Sequence, residues 1–119
     1  MLTKTHKILF LCTGNACRSQ IAHVMSKQSV KLQKLNVEIK SRGTHAKFGE
    51  STTKEALLAL SKAQINWQGT SSQLLLQDLD WADPILGMTQ EHLDVAIELG
   101  AGLRQDYAPF TNYWRIRMS

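Results

Sequence analysis

The sequence predicts an α/β fold, a three-layer sandwich around a four-stranded parallel sheet. Three observations carry this. Short apolar runs alternate with segments of helical spacing along the chain. Each run ends in a turn or helix-start signal. The 119 residues, 43% apolar and 20% charged, suit one domain spanning 1–119. A chain of that length buries roughly two thirds of its unfolded surface.

The elements follow in order. His6 to Cys12 (HKILFLC) is an apolar run closed by Thr13-Gly14-Asn15, the pattern of a buried strand. From Ser19 the pattern becomes helical, with Ile21, Val24, Met25, Leu32 and Leu35 as the apolar stripe. Val37 to Ser41 alternates and ends at Gly43, a second strand. Thr52 with Glu55 has the spacing of a capping box and opens a helix through Ala63. Asn66 to Ser72 reads as a loop, and Leu74 to Leu79 as a short helix. Asp83 to Met88 is a third strand, with Pro84 tolerated near its start. Thr89 caps a helix that ends at Gly100, and Leu103 to Tyr107 is the expected fourth strand.

Composition narrows the function. No apolar run approaches the roughly 18 residues that span a bilayer. The segment Met1–His6 lacks the shape of a secretory leader, so a cytoplasmic chain with no membrane partner is expected. Cys12 and Cys17 are too few for a disulfide framework or a structural zinc site, and no metal or cofactor is expected. Residues 1–47 hold nine Lys/Arg against Glu38 alone, whereas the remainder holds five against nine. A basic front half favours an anionic ligand such as phosphate. Without consecutive Lys/Arg or interleaved aromatics, nucleic acid is not an expected partner. His6, His45 and His92 lack metal-ligand spacing and are read as surface residues. Trp67, Trp81 and Trp114 are read as core or rim packing.

The chemistry concentrates in Cys12-Thr13-Gly14-Asn15-Ala16-Cys17-Arg18-Ser19, between the first strand and the first helix. Ligands of open parallel sheets bind at the carboxyl ends of strands, beside helix N-termini. Here successive N–H groups can curl around a tetrahedral oxyanion. Gly14 is expected to supply the positive φ of the curl. Arg18 can clamp two oxygens, as Lys cannot. The same positive surroundings favour the thiolate of Cys12. Ser19 can donate to its sulfur, and Asn15 can brace the loop.

The segment ILFLCTGNACRSQIA resembles the phosphate loop of the low-molecular-weight protein tyrosine phosphatase family, whose flavodoxin-like fold is shared with thioredoxin-coupled arsenate reductases. The likeness continues through Ser41-Arg42-Gly43-Thr44, GTSSQL and ADPILGMTQEH, about residues 6–100. The resemblance implies Cys12 as nucleophile and Arg18 as transition-state clamp. The backbone amides of Thr13, Gly14, Asn15, Ala16, Cys17 and Arg18 would be the phosphate cradle, with Asn15 and Ser19 as loop support. Cys17 matches a second loop cysteine that pairs reversibly with the nucleophile. Phosphotyrosine proteins or small aryl phosphates are the implied substrates, with inorganic phosphate or sulfate as loop ligands.

The chain also departs from that pattern. The family's Asp-Pro loop, which carries a general acid, and a closing helix are not matched before Ser119, so weak activity is expected. Asp106, expected near the carboxyl end of the fourth strand, is the candidate substitute; a second alignment instead puts Ala108-Pro109-Phe110 at that motif. An uncovered sheet face suggests a homodimer. Gln20 resembles the reductase branch, but residues 18–119 hold no further cysteine to resolve an arsenic adduct. Ala16 occupies a position that can influence substrate choice. A IIB-type phosphocysteine carrier and a catalytically dead phosphate-binding module remain alternatives; the carrier loop lacks an arginine such as Arg18.

Overall fold

A computed structural model describes residues 5–100 and 106–110 of the chain. The elements are β1 (His6–Cys12), α1 (Arg18–Gln33), β2 (Val37–Gly43), α2 (Lys54–Lys62), α3 (Leu76–Trp81), β3 (Pro84–Gly87), α4 (Gln90–Leu99) and β4 (Asp106–Pro109). All strand pairs are parallel, in the order β2-β1-β3-β4. This is the expected α/β sandwich. The order reverses between β1 and β3, where ligands of such sheets bind.

The alternation of β1 explains the two cores. Leu9 and Leu11 face one side, with Ile85, Leu74, Leu79, Leu93 and Ala96 from β3, α3, α4 and the segment before α3. Ile8 and Phe10 face the other, with Leu86 and with Ala22 of α1. All four of these β1 residues are at most 9% exposed, as a central strand covered on both faces requires. Phe10 meets Phe110 edge to face at 5.4 Å. Among the described residues no helix is long and apolar enough to cross a membrane.

Several boundaries differ from expectation for identifiable reasons. The α2 cap is Thr53, whose hydroxyl accepts from Ala56 N–H at 3.2 Å; Thr52 instead donates its hydroxyl to the Gly69 carbonyl. Asp78 draws α3 two residues later, because its carboxylate accepts the N–H of Leu75 and pairs with Arg42 at 3.2 Å. The stripe expected on α1 is its buried face only in part, at Val24 and half-buried Ile21. Ser19, Gln20, Ala22 and Val24 are buried, while Met25, Leu32 and Leu35 are exposed. The polar side chains are drawn inward by the loop that precedes the helix.

The fourth strand begins at Asp106, and residues 103–105 of the expected strand lie outside the described residues. Register overturns the placing of Asp106. It pairs with Pro84, the first residue of β3, whereas Gly87 pairs with Pro109 at the other end. In a parallel sheet this puts Asp106 at the amino edge, with Asp83, and away from Cys12 at the carboxyl edge. The alignment that brings Ala108-Pro109-Phe110 to the carboxyl end agrees with the register.

Candidate active site

Cys12 is the last residue of β1 and only 3% exposed. The next five residues turn the chain into α1. Asn15 makes that turn with φ 54°, whereas Gly14 does not take the positive φ expected of it. Asparagine tolerates this region because its short amide finds local partners. Asn15 Oδ1 accepts the N–H of Ser72 at 2.9 Å, and Asn15 Nδ2 donates to Ser19 Oγ at 2.7 Å.

These two bonds fix the rest. With Oδ1 occupied by a donor, the amide orientation of Asn15 is settled. Ser19 Oγ accepts from it and so has its own proton to give. Cys12 Sγ lies 2.9 Å from Ser19 Oγ, a hydrogen bond that either group can donate, while the N–H of Asn15 donates to the same sulfur at 3.2 Å. Two hydrogen bonds therefore converge on one sulfur. Asn15 and Ser19 are 1% and 0% exposed, so water does not compete.

Neighbouring segments hold the loop by its carbonyls. Thr44 N–H donates to the Cys12 carbonyl, His45 N–H to that of Thr13, Gln20 Nε2 to that of Asn15 and Thr53 N–H to that of Ala16. In a trans peptide the N–H points opposite to the carbonyl. The N–H groups of Thr13, Gly14, Ala16 and Cys17 are thereby turned the other way. Gly43 permits the close approach of β2 and the loop: a Cβ there would lie 2.6 Å from the Thr13 oxygen and 2.9 Å from the Asn15 nitrogen.

Arg18 opens α1 and is exposed, and its charge is felt at His92. Cys17 is half-buried, and both cysteines are free thiols. Trp67 donates to Gln20 Oε1 at 3.0 Å, which ties the loop before α3 to the segment between β1 and α1 through the Gln20–Asn15 bond. Trp81 lies near the amino edge with Lys40 Nζ 4.4 Å from its ring centroid; Trp114 falls outside the described residues.

Sequence reasoning missed His92. Read as a surface residue, it is 3% exposed and reaches the loop, with Nε2 3.0 Å from Thr13 Oγ1. The signal was its place three residues after the cap Thr89, the position from which a side chain returns to the cap N–H. Burial lowers the pKa of His92, and the charges of Arg18 and His45 lower it further against Glu91. His23 of α1 is also part-buried; its Nδ1 is 2.9 Å from Ser41 Oγ and its pKa falls to about 4, through burial first and then Lys27 and Arg42.

Known proteins share this construction. The chain is 38% identical over 93 residues to the protein-arginine-phosphatase of Geobacillus stearothermophilus, covering 78% of this chain and 61% of that one. It is 36% identical over 93 residues to the low molecular weight protein-tyrosine-phosphatase PtpB of Staphylococcus epidermidis, covering 78% and 63%. The chain thus spans about three fifths of the length of these curated relatives. Among solved structures, a cysteine-to-serine mutant of the YwlE arginine phosphatase with phosphorylated active site serine superposes with a TM-score of 0.86. Identity there is 30%, over 90% of this chain and 70% of that one. With the model of low molecular weight phosphotyrosine protein phosphatases matching residues 7–115, the chain belongs to that family.

Proposed function

We propose that the chain hydrolyses phosphate monoesters on proteins through a phosphocysteine at Cys12. The observation that carries this reading is the buried hydrogen-bonded chain that joins Ser72 N–H, Asn15, Ser19 and the Cys12 sulfur. A sulfur bonded by the Asn15 N–H and by the Ser19 hydroxyl group is held in one position at the strand end, as a nucleophile must be.

The sulfur attacks phosphorus, forming an S–P bond as the ester P–O bond breaks and the leaving oxygen departs with the electron pair. Water then attacks the phosphocysteine, releases inorganic phosphate and returns the thiolate. The inward-turned amides of the loop and Arg18 stabilise the charge on the equatorial oxygens, a neutral nest reinforced by a bidentate cation. No described side chain caps the start of α1, which leaves its N-terminal dipole to act on the same oxygens. When a peroxide oxidises Cys12 to the sulfenic acid, the Cys17 thiol condenses with it to a disulfide and releases water, which blocks further oxidation until a thiol reductant restores both cysteines.

The leaving oxygen needs a proton, and Asp106 at the amino edge does not supply it. A good leaving group is therefore the right probe. Relatives named for arginine and for tyrosine dephosphorylation both match, and phosphotyrosine is the substrate we assign. Incubation with p-nitrophenyl phosphate tests the reaction, and matched phosphotyrosine and phosphoarginine peptides test the substrate. Turnover that disappears in Cys12→Ser, with preference for the phosphotyrosine peptide, is expected. Phosphate binding without turnover in the parent would sink the enzymatic reading, and a phosphoarginine preference would reassign the substrate.

A further inference from the structure

The crevice where strand order reverses is flanked by Thr13, which follows β1, and by His92, in the first turn of α4 after β3. Their side chains meet at 3.0 Å, between His92 Nε2 and Thr13 Oγ1. The other ring nitrogen decides which atom donates. Nδ1 lies 3.0 Å from the backbone nitrogen of Thr89 and accepts its N–H. A neutral imidazole whose Nδ1 accepts carries its proton on Nε2. Nε2–H therefore donates to Thr13 Oγ1, and the Thr13 hydroxyl keeps its own proton to give elsewhere. His92 is 3% exposed while Thr13 is exposed, so a buried, doubly bonded ring holds a hydroxyl that lies open beside the loop. A residue that only capped α4 would need the first of these bonds and not the second.

The charged and titratable groups around the ring are Arg18 from the start of α1, His45 from the segment after β2 and Glu91 from α4 itself. Burial, Arg18 and His45 together keep it neutral against Glu91. A proton on Nδ1 would face the Thr89 N–H and break the arrangement.

We propose that His92 is a positioning residue for the reaction, fixing the Thr13 hydroxyl as a neutral hydrogen-bond donor to an oxygen of the phosphate ester held in the loop. This rests on the reading of residues 12–18 as a phosphate site. Arg18 supplies charge from one side of the anion; Thr13 adds a donor whose direction is set by the ring behind it.

Two substitutions divide the roles of the ring. Asn at 92 places Oδ1 where Nδ1 was and keeps the cap but cannot reach Thr13; Gln places Nε2 where the ring's donor was. With p-nitrophenyl phosphate, His92→Asn should lower kcat/KM by about fivefold to tenfold, the worth of one hydrogen bond. His92→Gln should stay within about threefold of the parent, and Thr13→Val should match His92→Asn. The double variant His92→Asn/Thr13→Val should be no worse than Thr13→Val alone. Parental kcat/KM in His92→Asn, or losses that add in full in the double variant, would overturn the proposal. Should the parent show no Cys12-dependent turnover, the phosphatase reading fails by itself. The same four variants are then compared by calorimetric titration with inorganic phosphate. There a shared, non-additive loss of affinity supports the proposal, and additive losses, no loss, or no binding by the parent overturn it.

Discussion

Ser19 joins Asn15 to Cys12 through one buried hydroxyl. Its oxygen accepts from Asn15 Nδ2 at 2.7 Å and lies 2.9 Å from the Cys12 sulfur. Ser19→Ala should therefore lose both the hydrogen bond to the Cys12 sulfur and an acceptor for Asn15. Hydrogen bonds to charged groups are worth about 1.5–3 kcal/mol, so kcat with p-nitrophenyl phosphate should fall by about tenfold to a hundredfold. A variant with parental kcat would show that the Ser19 hydroxyl plays no part at the sulfur.

Asn15 combines backbone strain and hydrogen bonding, and two substitutions separate them. Asn15→Ala keeps a Cβ at φ 54° and loses the bonds to Ser19 and Ser72. Asn15→Gly loses the same bonds but relieves the backbone. Thermal unfolding should place the glycine variant about 1 kcal/mol above the alanine variant in stability. Both should lose turnover alike, because the relay to Cys12 is broken in both. Equal stability of the two would mean that the loop relaxes out of the left-handed region once the amide is gone.

Gly43 and Gly14 invite opposite outcomes. A Cβ at Gly43 meets the Thr13 carbonyl oxygen at 2.6 Å and Asn15 nitrogen at 2.9 Å, both backbone atoms that cannot rotate away. Gly43→Ala should destabilise the protein by about 1–3 kcal/mol and distort the loop enough to abolish turnover. Around Gly14 no atom lies within 4 Å of the added Cβ, and its φ is not in the left-handed region. Gly14→Ala should leave the melting temperature nearly unchanged. Any loss of activity in that variant then measures crowding of the bound ester rather than damage to the fold.

What could be read from the chain was what its covalent spacing fixes. Cys12 and Arg18 flank five residues between an apolar run and a helix, and that spacing alone brings strand end, loop and helix start together. His92 could not be read this way. It lies 79 residues from Thr13, and their meeting depends on β3 pairing beside β1. Asp106 was misplaced for a related reason. Its segment reads equally well at either end of a strand, and only pairing with Pro84 decides. The α1 stripe misled because Ser19 and Gln20 spend their burial on the loop, at the expense of Met25 and Leu32. Helix periodicity counts apolar side chains, and it is blind to polar ones buried for a site.

His23 should make the fold sensitive to mild acid. Its ring is half-buried between Ser41, whose hydroxyl lies 2.9 Å from Nδ1, and Trp67, with centroids 5.7 Å apart. Burial, with Lys27 and Arg42 nearby, lowers its pKa to about 4, below the ordinary 6.5. The unfolded chain therefore binds a proton at this site as pH drops below 6.5, while the native chain does not until about 4. Where the unfolded state holds more protons, stability rises with pH. The contribution of His23 is thus complete above pH 6.5 and lost on acidification down to about 4. His92, also lowered, adds in the same direction. Allowing for partial exposure, the loss from His23 is on the order of 2–3 kcal/mol. Urea midpoints measured from pH 7.5 to 4.5 should fall steadily for the parent. His23→Gln, which retains a side chain able to bond Ser41, should fall less over the same interval. Identical slopes for the two proteins would assign the acid sensitivity to other groups.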